Sequence, residues 1–161
     1  MFVSPTTGKL PQPQLIDSVA DFIEEKPDWP YRLIIGSDSH LRGKNGQTQL
    51  KLVTAIIIHR VGLGGRYFWQ TYYLPETKTL RDKIYAETMK SLEIAHDFLP
   101  KMNKRLNGHG HYQLEIHIDV GQAGETREMI KEVVGIVTGN GFTAITKPDS
   151  YGASKVADKH T

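Results

Sequence analysis

Two aspartates in this sequence end apolar runs, and each has a histidine two residues away. Asp38 follows the run 33–36 and precedes His40, whereas Asp119 follows His117. Carboxylates and imidazoles bind divalent metals and carry protons. A carboxylate at the end of a buried strand must be hydrogen-bonded, paired or metal-bound, because an isolated buried charge is costly. These residues therefore indicate a metal or acid–base site, although a strand-capping Asx-type turn explains a single aspartate equally well.

Both aspartates are predicted to lie on interior strands. The apolar run that begins at Arg32 is too uniform for a surface strand, and alternation puts Asp38 and His40 on one side of it. Residues 112–121 form a second such strand, with His117 and Asp119 facing the same way. If the two strands are parallel neighbours, Asp38 and Asp119 lie within a few ångströms of each other.

A third acid, Glu87, falls on a predicted helix. Apolar residues recur at helical spacing from Leu80 to about Leu99, and Pro100 is expected to end the helix. Among the acids of this helix, Glu87 lies nearest the apolar stripe and leans over the sheet. The alternative is an ion pair with Lys83 or Lys90 on the helix flank.

The final helical segment carries two more acids. Asp149, between Pro148 and Ser150, is predicted to cap its N-terminus. Asp158 lies near its far end, beside Lys159. By position alone, Asp158 is a solvated surface acid.

Composition narrows the function classes. The 161 residues contain no cysteine, which excludes disulfides and thiolate metal sites, and the formal charge is only +2. That charge is too small to indicate a nucleic-acid-binding protein by itself. No apolar run approaches the roughly 20 residues that span a bilayer, and no secretion signal is evident. We therefore expect a cytoplasmic protein that does not bind membranes.

The remaining elements complete an alternating pattern. An N-terminal arm, residues 1–31, is expected to be irregular up to residue 14 and then to form one helix that covers an edge or face of the sheet. Strands at 50–61 and 66–74 follow the first strand as an antiparallel meander. The aromatic third strand leaves an exposed edge that another chain can pair with. After the helix of Glu87 and the strand of Asp119 come a helix at 125–138, a strand at 142–146 and the last helical segment.

Four groups of motifs accompany this order of elements. They are Ile35–His40, His59–Gly62 with Gly64–Tyr67, His117–Gly121 with Gly124–Arg127, and Lys147–Ser150 with Ala157–Thr161. With these motifs the chain resembles the YkuK family, bacterial proteins described as predicted ribonuclease H-related nucleases. The resemblance implies a ribonuclease H-like α/β fold over residues 1–161, in a single domain. Its mixed five-stranded sheet has three antiparallel strands followed by parallel strands, with helices on both faces.

The resemblance also implies roles for four acids. Asp38 matches the acid that bridges two divalent ions, and Glu87 matches the helix acid that binds one of them. Asp119 and Asp158 match the acids of the fourth strand and the last helix. Such carboxylate sites suit Mg²⁺ or Mn²⁺. The implied activity is metal-dependent hydrolysis of phosphodiester bonds in RNA, RNA:DNA hybrid or structured DNA.

Two features depart from that pattern. The histidines beside the strand-end acids, His40 and His117, are candidate ligands or proton carriers, which favours Mn²⁺ or Zn²⁺. Asp149 competes with Asp158 as the fourth acid, and we favour Asp158 because Asp149 has a structural role as a cap. Candidates for substrate contacts are Arg42, His117, Asp149, Lys155, Lys159 and His160.

Two other function classes stay open. A ribonuclease H-like fold also serves as a non-catalytic module that binds nucleic acid or protein, and a similar metal site hydrolyses small phosphoesters or nucleotides. The choice between RNA and DNA depends on groove geometry that the sequence does not specify. The oligomeric state is equally open.

Overall fold

The structure, a computed structural model, describes residues 1–161 apart from the side chain of residue 44. It contains seven strands, three α-helices and a C-terminal helical segment. In chain order these are β1 (Phe2–Ser4), β2 (Gly8–Leu10), α1 (Gln12–Glu24), β3 (Tyr31–Lys44), β4 (Gln47–Arg60), β5 (Gly65–Pro75), α2 (Leu80–Leu106), β6 (Gln113–His117), a 3₁₀ turn (Arg127–Met129), α3 (Ile130–Gly139), β7 (Thr143–Ile145), and the C-terminal segment, which is π-helical over Gly152–Ala157 and 3₁₀-helical over Asp158–His160.

The strands form one mixed sheet in the order β2-β1-β5-β4-β3-β6-β7. The meander β3-β4-β5 is antiparallel, whereas β6 runs parallel to β3 and β7 runs parallel to β6. The predicted mixed sheet, with antiparallel strands followed by parallel ones, is therefore confirmed.

The prediction of five strands is wrong, because the N-terminal arm supplies two more. Residues 1–14 were expected to be irregular, yet β1 and β2 form a hairpin that buries Phe2 and Leu10. Strands of three residues are too short to give a periodic signal. β1 pairs with β5 where Val3 lies opposite Trp69, so this part of the meander edge is already occupied.

The hairpin of β3 and β4 is longer than predicted. The second strand was predicted to begin at residue 50, but β4 begins at Gln47, and pairing continues through Arg42 opposite Gln49 and beyond. The turn itself needs only Asn45 and Gly46, whose φ angles are 53° and 76°. Positive φ at both central residues is typical of the two-residue turns that match the twist of a hairpin.

Helix α2 continues past Pro100, which was predicted to end it. Pro100 lies inside the helix, because Met102 and Leu106 extend the apolar stripe and are buried in the core. Burial of this stripe outweighs the lost backbone hydrogen bond. The helix ends at Leu106, and the C-cap residue Asn107 is left-handed with a φ of 49°. In the part of the chain that the structure describes, neither α2 nor any other helix has an apolar stretch of the length that a membrane crossing requires.

Alternate residues of β3 contact different helical elements. Ser37 Oγ lies 2.7 Å from Ser91 Oγ of α2. On the other side of the strand, a Cβ atom added to Gly36 would lie 2.6 Å from backbone atoms of Gly152 and Ala153. The missing side chain at position 36 therefore lets the C-terminal segment approach the strand closely.

The predicted cap of this segment is wrong. Asp149 was expected to be the N-cap, but the segment begins at Gly152 and no side chain caps it. The amide of Asp149 instead donates to the carbonyl of Thr146, which makes a separate turn. The first helical acceptor is the carbonyl of Ser150.

Candidate metal centre

β6 lies parallel beside β3 and ends at His117, which brings Asp119 to the same region of the sheet as Asp38. The prediction that Asp38 ends its strand is wrong, because β3 continues to Lys44. Gly36 and His117 are paired across these parallel neighbours. Asp38 and Asp119 each follow their strand's member of that pair by two residues. Asp119 lies beyond the last residue of β6, since that strand is shorter than the predicted 112–121.

Asp38, His40 and Asp158 form a compact cluster of possible metal ligands. His40 Nε2 lies 3.1 Å from Asp38 Oδ2 and 3.0 Å from Asp158 Oδ1. One ligand atom from each residue lies within 4.8 Å of the other two. The side chain of Asp38 is buried, whereas those of His40 and Asp158 are about half exposed. The cluster therefore opens to solvent on one side.

The pKa values of the two carboxyls in this cluster are shifted in opposite directions. Burial, followed by the charge of Glu87, raises the pKa of Asp38 to about 7. A hydrogen bond with His40 lowers the pKa of Asp158 below its ordinary value. Asp38 therefore holds its proton more strongly than Asp158 does.

Glu87 of α2 approaches the same strand from the other side. Its side chain is 3 % exposed, and Oε1 accepts hydrogen bonds from Ser39 Oγ at 2.6 Å and Lys83 Nζ at 2.8 Å. Burial raises the pKa of Glu87, although Lys83 and Ser39 act in the opposite direction. Contact with the strand and pairing with Lys83, which the sequence presented as alternatives, therefore occur together.

Three buried oxygens beside Glu87 have no hydrogen-bond partner among the described residues. They are Glu87 Oε2, Thr88 Oγ1 and Asp119 Oδ1, and their residues line one small cavity together with Ser37. Asp119 Oδ1 also lies 3.2 Å from the ammonium of Lys147, without hydrogen-bond geometry. This cavity is too small for a water molecule. A bound cation would satisfy such buried oxygens.

Lys83 connects the two groups of acids. Its ammonium contacts Glu87, and its positive charge lowers the pKa of both Asp38 and Asp158. Burial lowers the pKa of Lys83 itself, but the charge of Glu87, with smaller contributions from Asp38 and Asp119, raises it overall. All four sequence-predicted acids thus act on a single lysine. Sequence reasoning treated Lys83 only as a flank partner of Glu87.

His117 lies outside the cluster of Asp38, and the protein already uses both of its ring nitrogens. Nδ1 accepts from the amide of Gly152 at 3.1 Å, so Nε2 carries the proton and donates to Glu115 Oε1 at 3.0 Å. Burial lowers the pKa of His117, which favours this neutral ring. The residue ties β6 to the C-terminal segment.

The remaining candidates divide between packed and exposed residues. Arg42 donates to the backbone oxygen of Thr161 at 2.6 Å, and the His160 ring stacks on Trp69 with 3.7 Å between centroids. Thr161 Oγ1 in turn donates to Asp38 Oδ2 at 3.1 Å, a contact that the sequence did not indicate. Exposed residues on or beside the C-terminal segment are Asp149, Lys155 and Lys159.

Comparison with known proteins identifies the family to which this chain belongs. The family model described as "Ribonuclease H-like" matches residues 14–161. The chain belongs to the ribonuclease H-like family. It is also 28% identical over 170 residues to a protein of Bacillus subtilis (strain 168) named "Uncharacterized protein YkuK", with 100% of this chain and 96% of the relative covered. No solved structure gives a significant match. The predicted YkuK-family, ribonuclease H-like relationship is confirmed.

The side chains of this ribonuclease H-like chain fit the divalent ions that such folds often use. Asp38, Asp158 and His40 supply two carboxylates and one imidazole, a donor set dominated by oxygen that suits Mg²⁺ or Mn²⁺. The buried oxygens Glu87 Oε2 and Thr88 Oγ1, which have no hydrogen-bond partner among the described residues, are an independent sign. The ribonuclease H-like fold, with this acidic cluster, is of the type found in nucleases that bind nucleic acid.

Proposed function

We propose that the protein is a divalent-metal-dependent nuclease that hydrolyses phosphodiester bonds of nucleic acid. The observation that carries this proposal is the approach of Asp38, His40 and Asp158 to within 4.8 Å of one another in a chain of the ribonuclease H-like family. Asp119 follows β6, the parallel neighbour of β3, and Glu87 of α2 contacts β3 through Ser39. For the whole chain we infer one domain, residues 1–161, with helices on both faces of the sheet and the site at its rim.

Asp38 is the central ligand in this proposal. Its buried side chain contacts His40, which in turn contacts Asp158, and the charge of Glu87 acts on it from the other side of β3. We assign Mg²⁺ or Mn²⁺ as two ions, which would be held by Asp38 together with His40, Asp158, Glu87 and Asp119. When bound, such ions activate a water for attack on phosphorus and stabilise the leaving oxygen.

His40 is placed to hold and move a proton. Its Nε2 lies between Asp38 and Asp158, and its ring is about half exposed. A proton that Asp38 releases therefore has an acceptor within hydrogen-bond distance, and that acceptor reaches solvent. His40 serves as either a ligand or a proton carrier, and a Zn²⁺ or Mn²⁺ preference favours the ligand role.

Basic residues of the C-terminal segment are proposed to contact the substrate. Lys155 and Lys159 are exposed near Asp158 in the sequence, and we assign them to backbone phosphates. Arg42 instead holds the end of the segment through the backbone of Thr161. The formal charge of +2 supports a narrow basic groove and not a broad binding face.

Cleavage of labelled nucleic acid tests the proposal. Purified protein is incubated with RNA, RNA:DNA hybrid, structured DNA and a panel of nucleotides, each with Mg²⁺ or Mn²⁺. We expect cleavage of at least one polymer, its loss in Asp38→Asn and in Asp119→Asn, and its retention in the matched control Asp149→Asn. Cleavage that survives in the Asp38→Asn/Asp119→Asn double variant would exclude this site, and cleavage of nucleotides alone would favour a phosphoester hydrolase.

One observation favours a second candidate, a non-catalytic module that binds nucleic acid. Lys83 already supplies a positive charge to the acids, so the site is partly neutralised without metal. Calorimetric titration with Mn²⁺ separates the two functions. A nuclease requires Mn²⁺ binding that depends on Asp38, whereas a binding module retains oligonucleotide affinity and takes up no Mn²⁺ at this site.

A further inference from the structure

The position of Lys83 is unusual for a surface-helix lysine. It lies in the first turns of α2, its side chain is only 26 % exposed, and its ammonium lies 2.8 Å from Glu87 Oε1. Solvent does little to stabilise the charge of Glu87, because its side chain is buried and its second oxygen, Oε2, has no donor among the described residues. The lysine therefore points towards the acids of the site and not into solvent.

The acids beside Lys83 need a cation. Asp38 and Glu87 are 4 % and 3 % exposed, and two like charges in such surroundings are unfavourable unless a positive charge compensates them. Other positive groups lie further out: Lys147 contacts Asp119 and is 47 % exposed, and His40 contacts Asp38 from the solvent side. Of these three positive or potentially positive side chains, Lys83 is the most buried.

We propose that Lys83 is a built-in counter-cation that competes with divalent metal for the acids of the site. In the metal-free protein its ammonium neutralises Glu87. When a divalent ion binds Glu87 and Asp38, the lysine moves outwards to solvent, because two cations at close range repel each other. This inference rests on the proposed metal site. It adds that one side chain, Lys83, lowers the affinity of that site for divalent ions.

Competition predicts effects of opposite sign that a purely structural ion pair does not produce. Loss of a structural lysine weakens the fold and, with it, every ligand that the fold binds. Loss of a competing lysine weakens the metal-free fold but strengthens metal binding. The two roles are therefore separated by the direction in which metal affinity changes.

The test compares Lys83→Met, which keeps the aliphatic length and removes the charge, with the wild type. A matched control is Lys101→Met, because Lys101 also pairs with an acid one turn away on α2, Asp97 at 3.0 Å, but far along the helix. We expect Lys83→Met to lower the metal-free Tm and to raise Mn²⁺ affinity, measured by calorimetry, about tenfold or more. Lys101→Met is expected to leave Mn²⁺ affinity unchanged.

The outcomes distinguish failure of the proposed competition from failure of the proposed metal site. If the wild type binds Mn²⁺ and Lys83→Met binds it equally or more weakly, the competition is wrong and the metal site stands. If neither protein binds Mn²⁺, the metal site fails and the competition fails with it. Binding by Lys83→Met alone supports competition in its strongest form.

A measurement on the wild type covers the case in which Lys83→Met does not fold. In protein labelled with ¹⁵N at lysine Nζ, the Lys83 ammonium held by Glu87 is expected to give a signal protected from rapid hydrogen exchange. Saturating Mg²⁺ is expected to abolish that protection. A Lys83 signal that Mg²⁺ leaves unchanged would overturn the proposal.

Discussion

His40 Nε2 lies 3.0 Å from Asp158 Oδ1, although 118 positions separate the two residues in the chain. The contact exists because the C-terminal segment packs against β3 where Gly36 has no side chain. The candidate metal centre is therefore completed only when the last part of the chain docks on the sheet. Folding of the segment and assembly of the site are one event.

The first prediction concerns that docking. Gly36→Ala places a Cβ about 2.6 Å from backbone atoms of Gly152 and Ala153, which must shift. We expect a loss of about 1–3 kcal/mol in the free energy of unfolding, as for other overpacked positions, and weaker Mn²⁺ binding. Urea unfolding and calorimetry measure the two effects.

Gly43→Ala is the matched control on the same strand, because a Cβ there meets no atom within 4 Å. It is expected to change stability by less than about 0.5 kcal/mol. Equal effects of the two substitutions would mean that close packing at Gly36 does not hold the segment in place.

The second prediction concerns pH. Because burial and the charge of Glu87 raise the pKa of Asp38 to about 7 from an ordinary value of 3.8, the folded protein keeps a proton that the unfolded chain has released. The stability of the metal-free protein therefore falls as pH rises between about 4 and 7, by at most about 1.4 kcal/mol per pH unit from this group. Urea unfolding at several pH values measures the slope.

Asp38→Asn isolates this contribution, since other groups titrate in the same range. His117, for example, is kept neutral by burial and acts with the opposite sign, because stability from a lowered histidine pKa increases with pH. We expect the difference in stability between wild type and Asp38→Asn to change across this window. A difference that stays constant from pH 4 to 7 would show that Asp38 titrates normally.

The third prediction distinguishes the two candidates for the fourth acid. Asp158→Asn removes the carboxylate that lies beside His40, whereas Asp149→Asn changes an exposed residue in the turn before the segment. Because a ligand is lost in only one variant, Asp158→Asn is expected to lower Mn²⁺ affinity at least about tenfold. Calorimetry on both variants would contradict the assignment if Asp149→Asn had the larger effect.

Much of the fold follows from local patterns. The β-branched run of β3 and the amphipathic face of α2 each predict their element from local sequence, whereas β4 begins at Gln47 and not at the predicted residue 50. Two features depend on tertiary contacts that no local window contains. The three-residue strands β1 and β2 form because they bury Phe2 and Leu10, and α2 passes Pro100 because Met102 is buried.

The candidate site, too, was predictable only in part. Alternation along β3 predicted that Asp38 and His40 face one side, and their side chains are in contact. The role of Lys83 was not predictable, because a lysine one turn from a glutamate usually marks a solvated flank. What makes it unusual is the burial of Glu87, which depends on where α2 crosses the strand and on the hydroxyl of Ser39.

Anomalous diffraction from crystals grown with Mn²⁺ tests the central claim most directly. The proposal predicts Mn²⁺ peaks within coordination distance of the Asp38 carboxylate, one shared with His40 or Asp158 and one shared with Glu87 or Asp119. A map at saturating Mn²⁺ with no peak at Asp38, or with peaks only elsewhere on the protein, would contradict it.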